Sequence, residues 1–198
     1  RQYLNEKYGE EFCILSMAGS DILTEYDTFR AVAVGADEKE DWFTVKMYEN
    51  EKEEQYQDDY FGILIREDME NTVSMLEEFQ RLQVKVYIKR FFFPGTFNTL
   101  AAVDSLDDAK AADADLDADY YIFIMYDTGS PTEFYEMTEQ IFAKMAAICQ
   151  PGFVRIYGLS ETAFSEINRK NCETLLQDYY HADHEQCFAL ARKVVKNE

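Results

Sequence analysis

The chain has 198 residues, of which 47% are hydrophobic, and its 39 acidic and 19 basic residues give a formal net charge of −20. A chain of this length and apolar content can bury a core without disulfide or metal support, which excludes a largely disordered protein. Because so negative a surface repels phosphate backbones and anionic lipid headgroups, we expect no nucleic-acid partner. The longest apolar run, Tyr120–Tyr126, is far shorter than the roughly 20 residues that span a bilayer, so we expect no direct insertion in a membrane.

The first part of the chain shows short helix and strand patterns. One helix and three strands are predicted, in the order Arg1–Glu11, Phe12–Met17, Thr28–Val34 and Trp42–Tyr48. In the last of these, apolar and polar residues alternate, which is the period of a strand with one buried face. The acid-rich segment Glu49–Asp59 has no apolar rhythm and is predicted to be an exposed loop. A long amphipathic helix over Tyr60–Leu82 follows, because its apolar residues recur at spacings of four and three.

The second part of the chain alternates strands with helices. Beyond a strand that begins near Gln83, the predicted elements are a helix, a strand, a helix, a strand and a helix, at Asp104–Ala112, Asp119–Tyr126, Pro131–Cys149, Phe153–Tyr157 and Ser160–Tyr179. The second strand is apolar on both faces, which indicates a central position. Ser130, Pro131 and Glu133 form a capping-box signature at a helix start. The tail, Cys187–Val195, fits a strand or a helix.

These elements predict an α+β fold. We expect a mixed β-sheet with an antiparallel N-terminal part, alternating β and α elements in the C-terminal half, and helices packed on the sheet. A single domain over residues 1–198 is predicted, with two lobes, 1–82 and 83–198, as the alternative.

Recognised catalytic and nucleotide-binding motifs are absent from the sequence. The eight glycines are scattered, so no Gly-rich phosphate cradle is present. The only histidines are His181 and His184, and any histidine-dependent chemistry must use one of them. The enzyme question therefore stays open, with a non-catalytic protein favoured.

One cluster of side chains suits a metal. Four thiol and imidazole side chains lie within sixteen residues: Cys172, His181, His184 and Cys187. Thiolate and imidazole ligands favour tetrahedral zinc, which is the one cofactor that the sequence suggests. A Cys172–Cys187 disulfide, or unlinked thiols with surface imidazoles, are the alternatives.

Two other patterns have structural alternatives. Asp113–Asp119 resembles the start of a calcium loop, but Ala118 occupies the position of the required glycine, so an acidic connection is predicted. Tyr56 and Tyr60, near two aspartates, can stack on a sugar ring or pack beneath their own loop.

Two stretches, Tyr3–Phe12 and Asp58–Glu67, resemble segments of uncharacterised exported or lipid-anchored proteins of anaerobic Gram-positive bacteria. That resemblance brings no assigned activity and no catalytic residue. It implies an extracytoplasmic place on the cell envelope, with a signal or anchor upstream of Arg1. The expected function is that of an acidic, envelope-associated binding or interaction protein without catalytic activity, with a protein or carbohydrate partner. A zinc-supported protein or hydrolase is the alternative.

Overall fold

The computed structural model describes residues 1–19, 26–48, 56–91, 105–111, 118–127, 130–148, 152–174 and 187–194. The chain divides into two compact units, Arg1–Arg66 with Phe92–Asp115, and Glu67–Phe91 with Leu116–Glu198. The passage from the first unit to the second at residue 66 falls inside the helix Tyr60–Ser74. The assignment of residues 1–198 to one domain stays a prediction.

The first unit contains an antiparallel four-stranded sheet. Its elements are α1 (Gln2–Tyr8), β1 (Phe12–Ala18), β2 (Tyr26–Ala33), β3 (Phe43–Tyr48), β4 (Tyr56–Asp58), the first part of α2 (Tyr60–Ser74) and α3 (Leu106–Ala111). The strand order is β1-β2-β3-β4, and each neighbouring pair is antiparallel. Helix α1 ends at Gly9, whose φ of 69° is a left-handed conformation that glycine adopts readily.

One face of this sheet carries the core of the first unit. Side chains from α1, β1, β2, β3 and the start of α2 form a buried cluster of Leu4, Phe12, Ala31, Phe43, Val45 and Tyr60. Because successive strand residues point to opposite sides, the remaining strand positions form a second face. We call it the outer face; its strand positions are Cys13, Ser16, Ala18, Tyr26, Thr28, Arg30, Val32, Thr44, Lys46, Tyr48 and Gln57. Trp42, which directly precedes β3, is its twelfth position, because its ring lies against the Arg30 guanidinium.

The predicted exposed loop over Glu49–Asp59 is wrong at its end. Tyr56–Asp58 forms β4 and pairs with β3, whereas residues 49–55 lie outside the described residues. The Asp58 side chain is fully buried against Lys7. The end of β4 is thus held by Lys7, about fifty residues earlier in the sequence. A local pattern of apolar residues cannot reveal such a distant partner.

The second unit contains a mixed four-stranded sheet, as predicted for the C-terminal half. Its elements are the rest of α2, a short 3-10 helix (Glu77–Phe79), β5 (Val84–Phe91), β6 (Ala118–Met125), α4 (Pro131–Ala147), β7 (Gly152–Leu159), α5 (Glu161–Glu166) and β8 (Cys187–Val194). The order is β5-β6-β7-β8; β6 and β7 are parallel and the other pairs antiparallel. The α+β prediction is confirmed, and the tail forms a strand.

Strand β6 is central and covered on both faces, as predicted. Seven of its eight residues are buried. On one face Gly158 of β7 gives room to the Phe134 ring of α4, which would lie 2.7 Å from a Cβ at that glycine. On the other face a cluster joins the sheet to α5 and the segment after it, through Tyr121, Phe123, Leu159, Ala163, Phe164, Ile167 and Cys172.

The capping box of α4 is confirmed in both directions. The Ser130 hydroxyl accepts a hydrogen bond from the Glu133 backbone N–H at 3.2 Å, and the Glu133 carboxylate accepts one from the Ser130 backbone N–H at 2.9 Å. Within the ranges that the structure describes, no helix combines the length and the apolarity needed to cross a membrane.

Two predicted helices, over Tyr60–Leu82 and Ser160–Tyr179, are not continuous over their predicted lengths. Helix α2 ends at Ser74, whose hydroxyl, like that of Thr72, donates to a carbonyl four residues earlier and so competes with the backbone ladder. The helix predicted over Ser160–Tyr179 is interrupted: α5 ends at Glu166, because Ile167 takes an extended conformation and enters the core. Residues 172–174 are helical again, and residues 175–179 lie outside the described residues. The apolar face predicted for the longer helix is nevertheless buried, at Phe61, Ile65, Met69, Val73, Leu76 and Phe79.

Candidate functional site

The predicted zinc ligands are only partly covered by the structure. Cys172 is buried, and its Sγ lies 3.5 Å from the carbonyl oxygen of Arg169. His181 and His184 lie outside the described residues, and Cys187 is described only as the backbone of the first residue of β8. Among the described residues, no three His, Cys, Asp or Glu side chains are grouped to hold a metal ion. The zinc site stays a prediction.

The calcium-like stretch is described only at its end. Residues 113–117 lie outside the described residues, whereas Asp119 lies within β6. Its carboxylate is buried, 3.4 Å from a guanidinium nitrogen of Arg155. Arg155 in turn lies over the ring of Tyr121, so this aspartate belongs to a packed charged pair of the sheet.

Tyr56 and Tyr60, for which the sequence leaves sugar stacking or packing as alternatives, both contact other side chains within the first unit. The Tyr60 ring is buried, and its hydroxyl donates to Glu10 at 3.0 Å. The Tyr56 ring stacks on Tyr3, with centroids 5.0 Å apart. Both tyrosines thus belong to the core of the first unit, and Tyr60 does not offer an open ring to a ligand.

Asp58 is the centre of a buried polar cluster on the core side of the first sheet. Its carboxylate accepts hydrogen bonds from the hydroxyls of Tyr3 and Tyr8 at 2.6 and 2.7 Å, from Lys7 Nζ at 2.9 Å and from the Tyr60 backbone N–H at 3.1 Å. Burial, together with the charge of Asp58, raises the pKa of both tyrosines, which therefore stay protonated donors. The cluster ties α1 to β4 and is fully occupied by protein groups.

A bidentate ion pair, which we call the clamp, holds the segment after α5 in the second unit. Both guanidinium Nη atoms of Arg169 donate to the two carboxylate oxygens of Glu70, one of them at 2.6 Å. The Ile88 backbone N–H also donates to Glu70, at 2.7 Å. Such bidentate geometry fixes position, so this pair anchors the chain beside Cys172.

The outer face of the first sheet presents aromatic rings. Tyr26 and Tyr48 are cross-strand partners whose ring centroids lie 5.1 Å apart. Trp42, the only tryptophan of the chain, precedes β3 and lies against Arg30 at the other end of the same face. Tyr48 is six positions after Trp42, which corresponds to about 20 Å of extended chain. All three rings are half-buried, so part of each surface is open.

Two cations lie between these rings. The Arg30 guanidinium is 4.1 Å from the Trp42 ring centroid, and Lys46 Nζ is 4.7 Å from the Tyr26 centroid. Neither cation has a carboxylate within 4.0 Å in the part of the chain that the structure describes. Lys46 does help to keep the Asp59 carboxyl ionised from a longer distance, while burial raises the pKa of Asp59 to about 7.

Neutral hydrogen-bonding groups complete the outer face. Thr28 lies opposite Lys46, and Thr44 lies opposite Arg30. Neither threonine hydroxyl makes a hydrogen bond to the residues that the structure describes. Gln57 accepts from the Tyr48 hydroxyl at 3.1 Å, which leaves its amide nitrogen as a donor. The face therefore combines rings, hydroxyls, an amide and two cations.

The sequence indicated part of this face. The alternation in Trp42–Tyr48 separates Thr44, Lys46 and Tyr48 from the buried side of the strand. Tyr26 was outside the predicted second strand, and its pairing with Tyr48 depends on strand register. Because register is set by tertiary pairing, the face as a whole is not visible in the sequence pattern.

Comparisons with known proteins place the chain at a distance from them. No family model and no curated protein matches it. A solved structure of a DUF5037 family protein from Ruminococcus gnavus ATCC 29149 is similar, with 16% sequence identity, a TM-score of 0.46, and coverage of 98% of this chain and 90% of that chain. That neighbour comes from an anaerobic Gram-positive bacterium; export and lipid anchoring stay predictions. A likeness this distant carries no functional argument.

Proposed function

We propose that this protein acts by binding, and that its ligand is a saccharide that lies across the outer face of the first sheet. The observation that carries the proposal is the combination on one face of half-buried rings with threonine hydroxyls that have no partner among the described residues. Aromatic rings offer an apolar surface to the C–H side of a sugar, and hydroxyl and amide groups hydrogen-bond to its hydroxyls.

The composition of the outer face favours binding over catalysis. Its twelve positions contain no Asp, Glu or His, although 39 of the 198 residues of the chain are acidic. General acid–base catalysis most often uses one of these three residue types. The threonine, glutamine, arginine and lysine side chains of this face offer hydrogen-bond donors to a ligand.

The extracytoplasmic location of this protein on the cell envelope is also part of this proposal. Its support is the resemblance of Tyr3–Phe12 and Asp58–Glu67 to exported or lipid-anchored proteins. Fractionation of the source cells, followed by immunodetection, tests it; recovery in the cytosol alone would overturn it.

The binding proposal is tested by screening a glycan panel and then titrating each positive saccharide against the purified protein. Because Trp42 is the only tryptophan and lies on the outer face, its fluorescence should change on binding. Tyr26→Ala should weaken binding by about tenfold or more, since it removes a stacking ring. Thr28→Val, which keeps the β-branched shape but loses the hydroxyl, should weaken it by several-fold.

Tyr135→Ala is the matched control. Tyr135 is 42% exposed, but it lies on α4 in the second unit. This variant should bind as the unchanged protein does. Silence across the panel, or equal losses for Tyr26→Ala and Tyr135→Ala, would show that the outer face is not a saccharide site.

A further inference from the structure

We infer that the saccharide carries carboxylate groups, which Arg30 and Lys46 hold. This inference rests on the proposed function and specifies the class of ligand. It comes from the charge pattern of the outer face, and the first step is a comparison of cations within the first unit.

The two outer-face cations contact aromatic rings of their own sheet, whereas two other cations of the same unit pair with carboxylates. Lys7 pairs with Asp58 at 2.9 Å, and Arg66 pairs with Asp41 at 2.6 Å. Arg30 and Lys46 have no carboxylate within 4.0 Å among the residues described, in a chain with twice as many acids as bases. Both cations are therefore available to an anionic group that lies on this face.

The rings beneath both cations hold them in place without neutralising them. Arg30 lies over Trp42 and Lys46 over Tyr26, at distances typical of cation–π contacts. A guanidinium that lies over a ring keeps its N–H donors in its own plane, where they match the two oxygens of a carboxylate. A group ordered before binding loses less entropy when the ligand arrives.

The spacing of the two cations suits neighbouring groups on one ligand. Arg30 faces Thr44 across the strands, and Lys46 faces Thr28, so the two cations are diagonal neighbours. Diagonal positions on an antiparallel sheet lie about 7–8 Å apart. The hydroxyls of the two threonines lie at the remaining corners of this rectangle, beside both cations.

The net charge of the protein limits the size of the ligand. A total of −20 repels a long polyanion, particularly at low salt. At physiological ionic strength the screening length is about 8 Å, so a short ligand on the outer face interacts mainly with the nearby cations. The expected ligand is therefore an oligosaccharide that contains uronic acid, rather than a long anionic polymer.

The test compares two probes that differ in charge. Oligogalacturonate and its methyl ester share the same rings and hydroxyls, but the ester lacks the negative charges. We expect the acid to bind at least about tenfold more tightly than the ester. Arg30→Gln and Lys46→Gln should each lower the ratio of acid affinity to ester affinity most of the way to one. Lys39→Gln, which makes the same charge change at an exposed residue in the β2–β3 connection, should alter neither titration.

The outcomes separate this inference from the proposed function. Equal affinity for acid and ester would overturn the carboxylate inference while the saccharide proposal stands. Binding of neither galacturonate probe nor of any glycan on the panel would overturn both. Binding of polyglutamate through Arg30, with no saccharide bound, would overturn the inference in favour of an acidic peptide. If Arg30→Gln fails to fold, Lys46→Gln alone tests the inference. Resistance to trypsin checks that each variant is folded.

Discussion

Replacing Asp58 by alanine should strongly destabilise the first unit. The carboxylate is fully buried and accepts four hydrogen bonds, from Tyr3, Lys7, Tyr8 and the backbone of Tyr60. The substitution removes the acceptor for all of them at once. It also leaves the ammonium of Lys7, whose side chain is 2% exposed, without the carboxylate that faces it.

The expected magnitude follows from the burial of the pair. Removing one partner of a buried ion pair costs about 3–5 kcal/mol, because the other charge stays buried without its compensation. The two tyrosine hydroxyls add to this cost if they do not reach water. The sum is a large part of the roughly 5–15 kcal/mol that stabilises a typical domain. By contrast, Lys144 is half-exposed and 3.8 Å from Glu78, so Lys144→Ala should cost less than about 1 kcal/mol.

Urea unfolding followed by tryptophan fluorescence measures the effect where it occurs. Trp42 belongs to the same unit as Asp58, so its emission reports on that unit. Asp58→Ala should shift the midpoint strongly, and Asp58→Asn, which keeps one acceptor oxygen, should shift it less. A loss below about 1 kcal/mol for Asp58→Ala, with an unchanged denaturant slope, would refute the view that this cluster secures α1 to the sheet.

Three other predictions concern different parts of the chain. Arg169→Ala should cost about 2–4 kcal/mol in urea unfolding followed by circular dichroism, because it leaves the Glu70 carboxylate without its bidentate partner, with Arg169 partly exposed; an unchanged midpoint would contradict the clamp. Burial raises the pKa of Asp59 to about 7, so the folded chain holds this proton more tightly than the unfolded chain, whose pKa is near 3.8. Stability should therefore fall as pH rises from about 4 to 7, by at most about 4 kcal/mol, and Asp59→Asn should abolish this fall in unfolding measured across that range. The zinc hypothesis predicts one equivalent of zinc in protein purified without chelator, lost in His184→Ala; elemental analysis that finds no metal would end it.

Local signals in the sequence predicted the elements that depend on local interactions. The capping box at Ser130 needs only residues three apart, and both of its hydrogen bonds are present. The burial of β6 on both faces follows from an apolar run with no polar side. These features are visible in the sequence because a few consecutive residues determine them.

Long-range contacts explain what the sequence pattern missed. The stretch that ends in Asp58 has the composition of a solvated loop, yet hydrogen bonds to Tyr3, Lys7 and Tyr8 about fifty residues earlier draw its end into the core. The predicted length of α2 is wrong for a related reason. The apolar spacing past Ser74 continues into Leu76 and Phe79, which are buried by a 3-10 turn rather than by further α-helix. The apolar side chains past Ser74 are still buried, although the backbone there is no longer α-helical.

The outer face differs in composition from the rest of this protein, and the proposed binding function rests on that difference. Acidic residues are abundant in the chain, but none occupies that face, and its two cations have no carboxylate among the described residues. The core of the first unit lies on the opposite side of the sheet, so packing there does not require Tyr26, Trp42 or Tyr48. Val32 of this face is buried, whereas the rings of Tyr26, Trp42 and Tyr48 keep part of their surface exposed, and partly exposed rings lower solubility. Local rules are broken mainly where function requires it, and cations ordered over rings beside open hydroxyls are what recognition of an acidic sugar would require.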